Sequence, residues 1–170
     1  MSEVQPDEEA GNRFFDALFG IRVRRLQSLF GAHWQRWFRV LDVGVTPVQG
    51  GVLLLVRSHP AISQNALARL MKIEPPTLMQ ALAPLFAQQL VSRRRSATDG
   101  RIFELVLTDR GFDIAQRVEQ QTPLHELDIL RGLDGHERSQ LLALLDKAIL
   151  GAEAALAERE LTPSRMPDEG

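Results

Sequence analysis

A mainly α-helical protein with one small β-hairpin is what this sequence predicts, on three observations between Thr46 and Gly111. Helix-start signals at Thr46-Pro47, Ser63 and Pro75-Pro76 are each followed by a short apolar-periodic segment. After Leu90 the apolar period shortens from helical to alternating. The alternating stretch then doubles back at Asp99-Gly100, a pair suited to a hairpin turn. Three helices leading into a charged hairpin spell a winged helix-turn-helix, here with N- and C-terminal helices for dimerisation.

The first of these helices has Thr46 as N-cap and Pro47 at its first position, with Val48, Val52, Leu53, Leu55 and Val56 at helical spacing. His59-Pro60 ends it, because the residue before proline is pushed out of the α region. A second helix opens near Ile62-Ser63, capped by Ser63, and runs through Leu67 and Leu70 to Met71. Pro75-Pro76 can only begin a helix, so a third starts there with Leu78, Leu82 and Leu85 on one face. In a helix-turn-helix the second member of the pair enters the DNA major groove, which makes the segment from Pro75 the recognition helix. The hairpin has Val91, Arg93 and Arg95 alternating with Ser92 and Arg94, and Phe103, Leu105 and Leu107 returning on one face until Thr108 caps another helix. Four arginines, Arg93, Arg94, Arg95 and Arg101, stand against Asp99 at the tip, an excess of positive charge that suits a phosphate backbone or a narrow minor groove. At least one of Arg93, Arg94 and Arg95 must lie toward the packed side of the hairpin and snorkel.

Flanking segments are helical too. Residues 12 to about 42 read as one long helix whose stripe from Phe15 to Leu41, including Trp34, Trp37 and Phe38, is wider than a lone surface helix can hide. Phe112, Ile114 and Val118 mark a helix after Thr108, a break is expected around Gln121 to Pro123, and Leu141, Leu142, Leu145, Ile149 and Leu156 mark a last helix from Asp134 to Arg159. First and last helices together form an expected dimer interface of ~2,000 Å² or more. The resulting division is an acidic disordered tail (1–11), a dimerisation helix (12–45), the winged domain (46–111), C-terminal dimerisation helices (112–160) and a disordered tail (161–170).

Composition sets further bounds. The chain has 170 residues and a net charge of −2, unusual for a nucleic-acid binder, but Glu3, Asp7, Glu8 and Glu9 concentrate acid in the first ten residues and mask basic elements elsewhere. No cysteine is present, which excludes thiol redox sensing and thiolate metal sites. Neither a signal peptide nor an 18-residue apolar run is recognisable, so a cytoplasmic protein is expected. The histidines His33, His59, His125 and His136 are scattered without catalytic or metal-ligand spacing, which argues against an enzyme, a cofactor or a metal.

The segments Thr46-Pro47-Val48-Gln49, Leu67-Ala68-Arg69-Leu70, Ile73-Glu74-Pro75-Pro76-Thr77-Leu78, Asp99-Gly100-Arg101 and Leu107-Thr108-Asp109-Arg110-Gly111 fall in the order and spacing of one family. From Thr46 to Gly111 the chain resembles the MarR family of bacterial transcriptional regulators. The resemblance implies a homodimer bound to a pseudo-palindromic operator, usually as a repressor, and in many members released by a small, often aromatic, anionic ligand. By that resemblance Arg101 is the candidate for minor-groove insertion, braced by Asp99.

The recognition helix departs from the family. Met79 and Gln80 stand where a serine and an arginine are common, Ala83-Pro84 replace a charged pair, and no charged side chain occurs from Pro75 to Ser92. Gln80 offers an adenine-reading amide and Thr77 a phosphate or thymine contact, with Pro76 and Met79 beside them. Pro84 should kink this helix near Gln80, and Gln88-Gln89 replace the basic residue and glycine usual at its end. Ser63, Gln64 and Asn65 at the preceding helix's N-terminus are further phosphate candidates. Arg13, Arg22, Arg24, Arg25, Arg36 and Arg39 against Asp16 give the first helix a net +5, and His33, Trp34, Arg36 and Trp37 form a candidate effector site with aromatic walls and a cationic anchor. Two readings of function remain at this point: a ligand-responsive repressor of nearby genes, or a winged-helix protein-interaction module with weakened DNA binding.

Overall fold

A computed structural model describes residues 15, 17–40, 42–96 and 103–161. The helices are α1 (Phe19–Val40), α2 (Pro47–Ser58), α3 (Gln64–Met71), α4 (Pro75–Ala87), α5 (Asp109–Ile129) and α6 (Gly135–Leu161). The strands are β1 (Ile62–Ser63), β2 (Val91–Arg95) and β3 (Phe103–Leu107). The chain divides into two units, Met1–Ile129 and Leu130–Gly170.

In the first unit α2 is central and packs on α3, α4, α5 and β3, while α1 packs on α5. Thr46 starts α2 with a reciprocal capping box: its amide donates to Gln49 Oε1 at 2.9 Å, and its Oγ1 accepts from the Gln49 amide at 3.3 Å. Leu53, Leu67, Leu78, Leu82, Leu85 and Leu105 are fully buried, so the apolar periodicities of α2, α3 and α4 and the strand alternation of β3 meet in one core. The sheet order is β1-β3-β2, all antiparallel, with Val91 opposite Leu107 and Arg95 opposite Phe103. Strand β1 is a departure from the sequence reading. Ile62 and Ser63 pair with Leu105 and Glu104 before α3 begins, because the left-handed Ala61 (φ 67°) turns the chain into extended backbone.

Three helices stop in the same way, and none uses glycine. Asp42, Lys72 and Gln89 adopt left-handed φ values of 54°, 51° and 55°. After each, an apolar residue closes back onto the last turn: Val43 N to Phe38 O, Ile73 N to Ala68 O and Leu90 N to Leu85 O, at 2.9 to 3.1 Å. These are Schellman closures, in which burial of Val43 and Leu90 and partial burial of Ile73 offset a left-handed cost of ~1–2 kcal/mol per non-glycine residue. Gln89 is therefore the answer to the missing glycine at the end of α4. That helix runs without interruption through Pro84, whose missing N–H leaves the Gln80 carbonyl without its helical donor.

The break expected at Gln121 to Pro123 does not occur. Helix α5 continues to Ile129 with Pro123 inside it, while Thr122 Oγ1 donates to Val118 O at 2.7 Å. Val118 before the proline and His125 after it are both fully buried, and their packing outweighs one lost hydrogen bond. The interruption falls later, in the second unit, where Asp134 caps α6. Its amide donates to Glu137 Oε2 at 2.9 Å, and its Oδ1 accepts from the Glu137 amide at 2.8 Å. Helix α6 exposes Leu142, Leu144, Ile149, Leu150 and Leu156.

Gly111 is the most closely packed of the described glycines, because a Cβ there would lie 1.8 Å from the Leu90 carbonyl oxygen. Gly111→Ala should lower unfolding free energy by about 3 kcal/mol, the upper range for overpacking, in denaturant titration. Gln89→Gly, at a left-handed site, should instead raise it by ~1 kcal/mol.

Candidate nucleic-acid interface

Helices α3 and α4 form the helix-turn-helix, joined through Lys72, Ile73 and Glu74. Glu74 is the N-cap of α4 in position only, since its side chain makes no capping bond. Leu78, Ala81, Leu82 and Leu85 face the core, which leaves Pro76, Met79, Gln80, Ala83 and Ala87 on the outward side and Thr77 at its edge. Met79 is 41% exposed, a large apolar side chain presented to solvent. This outward face has no charge and Gln80 as its principal hydrogen-bonding side chain.

At the start of α3, Ser63 Oγ accepts from the Ala66 amide at 3.2 Å, so its first role is that of a cap. Asn65 is exposed beside it. Gln64 is drawn into the wing: with its amide oxygen turned toward Arg93, it accepts from Nε at 3.1 Å and from a terminal guanidinium nitrogen at 3.0 Å. The Arg93 guanidinium also lies 4.5 Å from the centre of the Phe86 ring on α4. One arginine thus touches both helices of the motif from the hairpin.

The other two hairpin arginines divide between the faces. Arg95 shares the Val91 and Arg93 face and covers the Phe103 ring opposite it at 5.5 Å, so two of the three arginines lie over apolar rings on the packed side. Arg94 points to the other face and pairs with its cross-strand neighbour Glu104 at 3.0 Å. A hydrogen bond from Ser96 and then the Arg94 pair hold the Glu104 carboxyl below its ordinary range. Asp99 and Arg101 lie outside the described residues. At the root of the hairpin, an open cleft of about 490 Å³ is lined by Phe86, Gln89, Val91, Ser92, Thr108, Asp109 and Arg110.

The four effector candidates separate. Trp34 belongs to the core: it is 3% exposed, stacks on Phe38 at 4.1 Å, and donates Nε1 to Val45 O at 2.9 Å. Gly50 makes room for it, since a Cβ there would lie 2.7 Å from the indole. Arg36 is exposed, and His33 and Trp37 are half-buried. An open cleft of about 290 Å³ near the end of α1 is lined instead by Gln35, Arg39 and residues 42–46.

Sequence reasoning missed the residue that organises this region, His125. It follows the proline where a break was expected, and nothing in its spacing marks it. Its ring is fully buried among Phe30, His33, Trp34, Trp37 and Phe38, with centroids 4.9 to 6.1 Å away. Neither of its nitrogens has a hydrogen-bond partner, nor do His33 Nδ1 and Trp37 Nε1. His33 Nε2 meets Asp128 Oδ2 at 2.8 Å. Burial first, and His33 second, push His125 below the ordinary histidine range, while Asp128 pulls the other way. Among the described residues, no group of three or more His, Asp or Glu side chains could hold a metal ion.

A helix pair with an outward face, followed by an arginine-bearing hairpin, defines a winged-helix regulator. The model for the MarR family matches residues 43–102. A protein from Thauera aromatica, named for transcriptional regulation of the hcr operon, is 32% identical over 128 residues, covering 75% of this chain and 76% of the relative. Among solved structures, the repressor CouR bound to a 23-mer DNA duplex is 28% identical with a TM-score of 0.70, covering 87% of this chain and 99% of that one. PcaV from Streptomyces coelicolor, in complex with its natural ligand, is 21% identical with a TM-score of 0.72, covering 89% and 99%. This chain belongs to the MarR family of transcriptional regulators.

His125 provides a test of the aromatic cluster. Its folded state disfavours the proton that the unfolded chain takes up near pH ~6.5, so its share of stability is complete above that pH and falls as pH drops below it. One such proton costs up to about 1.4 kcal/mol per pH unit. In thermal melts at about pH 7.5 and about pH 5.5, His125→Phe should shrink the acid-induced fall in Tm relative to the wild type.

Proposed function

We propose that this protein is a homodimeric, sequence-specific DNA-binding regulator that represses nearby genes until a small anionic or aromatic effector binds. The observation that carries the reading is the outward face of α4 set beside a hairpin whose Arg93 is braced against both α3 and α4. Groove-reading residues and phosphate-seeking cations then stand on one scaffold, as DNA readout requires. Ser63, Gln64, Asn65, Pro76, Thr77, Met79, Gln80, Arg93, Arg94, Arg95, Asp99 and Arg101 make up the proposed DNA contact set. CouR, a solved relative, is a repressor bound to a DNA duplex, which supports the assignment.

Apolar surface supports the dimer. Phe19, Val23, Leu26 and Leu29 are exposed on α1, and Leu124 and Leu127 on α5, too much for a helical surface in water. The exposed leucines and isoleucine of α6 add a third such face. For the effector, His33, Trp37 and Arg36 remain the proposed contacts above a buried Trp34. The unpartnered His33 Nδ1 and Trp37 Nε1 supply polar atoms, and Arg36 supplies charge for an anion. PcaV was solved with its natural ligand, which supports ligand control in a relative of this fold.

One observation favours the second reading, a winged-helix interaction module with weakened DNA binding: the outward face of α4 carries no cation. Fluorescence anisotropy with DNA from the protein's own upstream region, across a salt series, separates the two. A DNA-binding regulator should prefer that DNA to random duplex and lose affinity steeply as salt rises. Equal, weak binding to both would favour the interaction module. Arg101→Ala should weaken the selective binding at least ten-fold and leave Tm unchanged; undiminished affinity would remove Arg101 from the contact set. Light scattering at micromolar concentration should report a dimer.

A further inference from the structure

We infer that the recognition helix reads an A·T half-site, with Gln80 on adenine and Met79, flanked by Pro76 and Ala83, seating thymine 5-methyl groups. The inference rests on the DNA-binding reading and goes beyond it by naming the base chemistry recognised. It follows from which side chains the fold leaves on the groove-facing surface.

Guanine is read most often by an arginine or lysine that donates two hydrogen bonds to O6 and N7. No residue from Pro75 to Ser92 is charged, so α4 has no such donor along its whole length. The first two cations after α4 in the chain are engaged elsewhere. Arg93 is held by the Phe86 ring and the Gln64 amide, and Arg94 by Glu104. What α4 does present is an exposed amide at Gln80 and, at the i, i+3 and i+7 spacing, Pro76, Met79 and Ala83. A side-chain amide matches adenine fully, accepting from N6 and donating to N7. Guanine offers two acceptors at those places, so the amide oxygen would face another oxygen. The major-groove feature that an exposed thioether and small apolar side chains can bind is the thymine methyl, the only apolar group on a base edge there. A G·C pair carries no methyl group on its major-groove edge, so the same apolar face gains less there than on an A·T pair.

The test begins with selection of the preferred duplex from a randomised pool by the full-length protein at moderate salt. In the enriched duplex, each half-site thymine is then replaced by deoxyuridine, which removes the methyl group and keeps every hydrogen-bonding atom. Half-site adenines are replaced by 7-deazaadenine, which removes the N7 acceptor. The expected result is enrichment of A·T pairs at the positions α4 covers, a loss of about three- to five-fold for each contacted methyl, and a loss near ten-fold or more at one adenine. Met79→Ala should make the protein indifferent to the thymine-to-uracil exchange while its salt slope stays that of the wild type. Gln80→Ala should make it indifferent to 7-deazaadenine. Enrichment of G·C pairs at those positions, or full affinity for the uracil duplex, would overturn the inference and leave the DNA-binding reading standing. Failure to enrich any sequence would overturn the DNA-binding reading itself, and the inference with it.

Discussion

The carbonyl group of Leu90 is where the recognition helix, the hairpin and the long helix α5 are joined. Its amide closes the end of α4 onto Leu85, its oxygen accepts from the Thr108 amide at 3.1 Å, and the first turn of α5 approaches it so closely that only a hydrogen fits at Gly111. Thr108 reinforces the joint, donating Oγ1 to Gln89 O at 2.6 Å and accepting from the Gly111 amide at 3.0 Å. Leu90 itself is 1% exposed, so the joint lies in the core and cannot swing on solvent-facing bonds. The joint therefore ties the first turn of α5 to the end of α4 and the base of β2. A regulator whose helix ends are tied in this way has a mechanical route from its long helices to its reading head.

The far part of α5 has the opposite character. Around His125 the packing is dense and aromatic, yet four ring nitrogens lack partners within one small volume. Each buried, unsatisfied polar group costs ~1–3 kcal/mol, so this cluster holds the protein below the stability its shape alone would allow. The α1–α5 contact thus buries ring nitrogens that no protein group satisfies.

Charge is distributed with the same division of labour. The outward face of α4 is neutral, and the cations flank it on the hairpin, two of them laid over aromatic rings and one paired to a carboxylate. In the proposed DNA complex this arrangement places phosphate attraction at the rim and leaves base discrimination to shape, one amide and apolar contact. The net charge of −2 therefore says little about the binding surface, because the acidic run Asp7-Glu8-Glu9 and the arginine run Arg93-Arg94-Arg95 lie far apart in the chain.

Much of this was legible before any coordinates. The caps at Thr46 and Ser63, the paired prolines at Pro75-Pro76 and the shift to alternation after Leu90 are local signals, and each depends on backbone chemistry that neighbouring residues decide among themselves. The missing cation on α4 could also be read directly. Other features required the folded chain. Gln89, Lys72 and Asp42 hold left-handed turns that sequence preference assigns to glycine, because the apolar residue after each is packed inside or against the core. Pro123 sits within a helix because Val118 and His125 anchor both sides of it. Trp34 and His125 joined one interior cluster, and Arg93 became a brace, through contacts between residues far apart in sequence. Local periodicity and capping determined which elements exist; the free energy of long-range packing, which no short window contains, decided where they end and which side chains remain free to act.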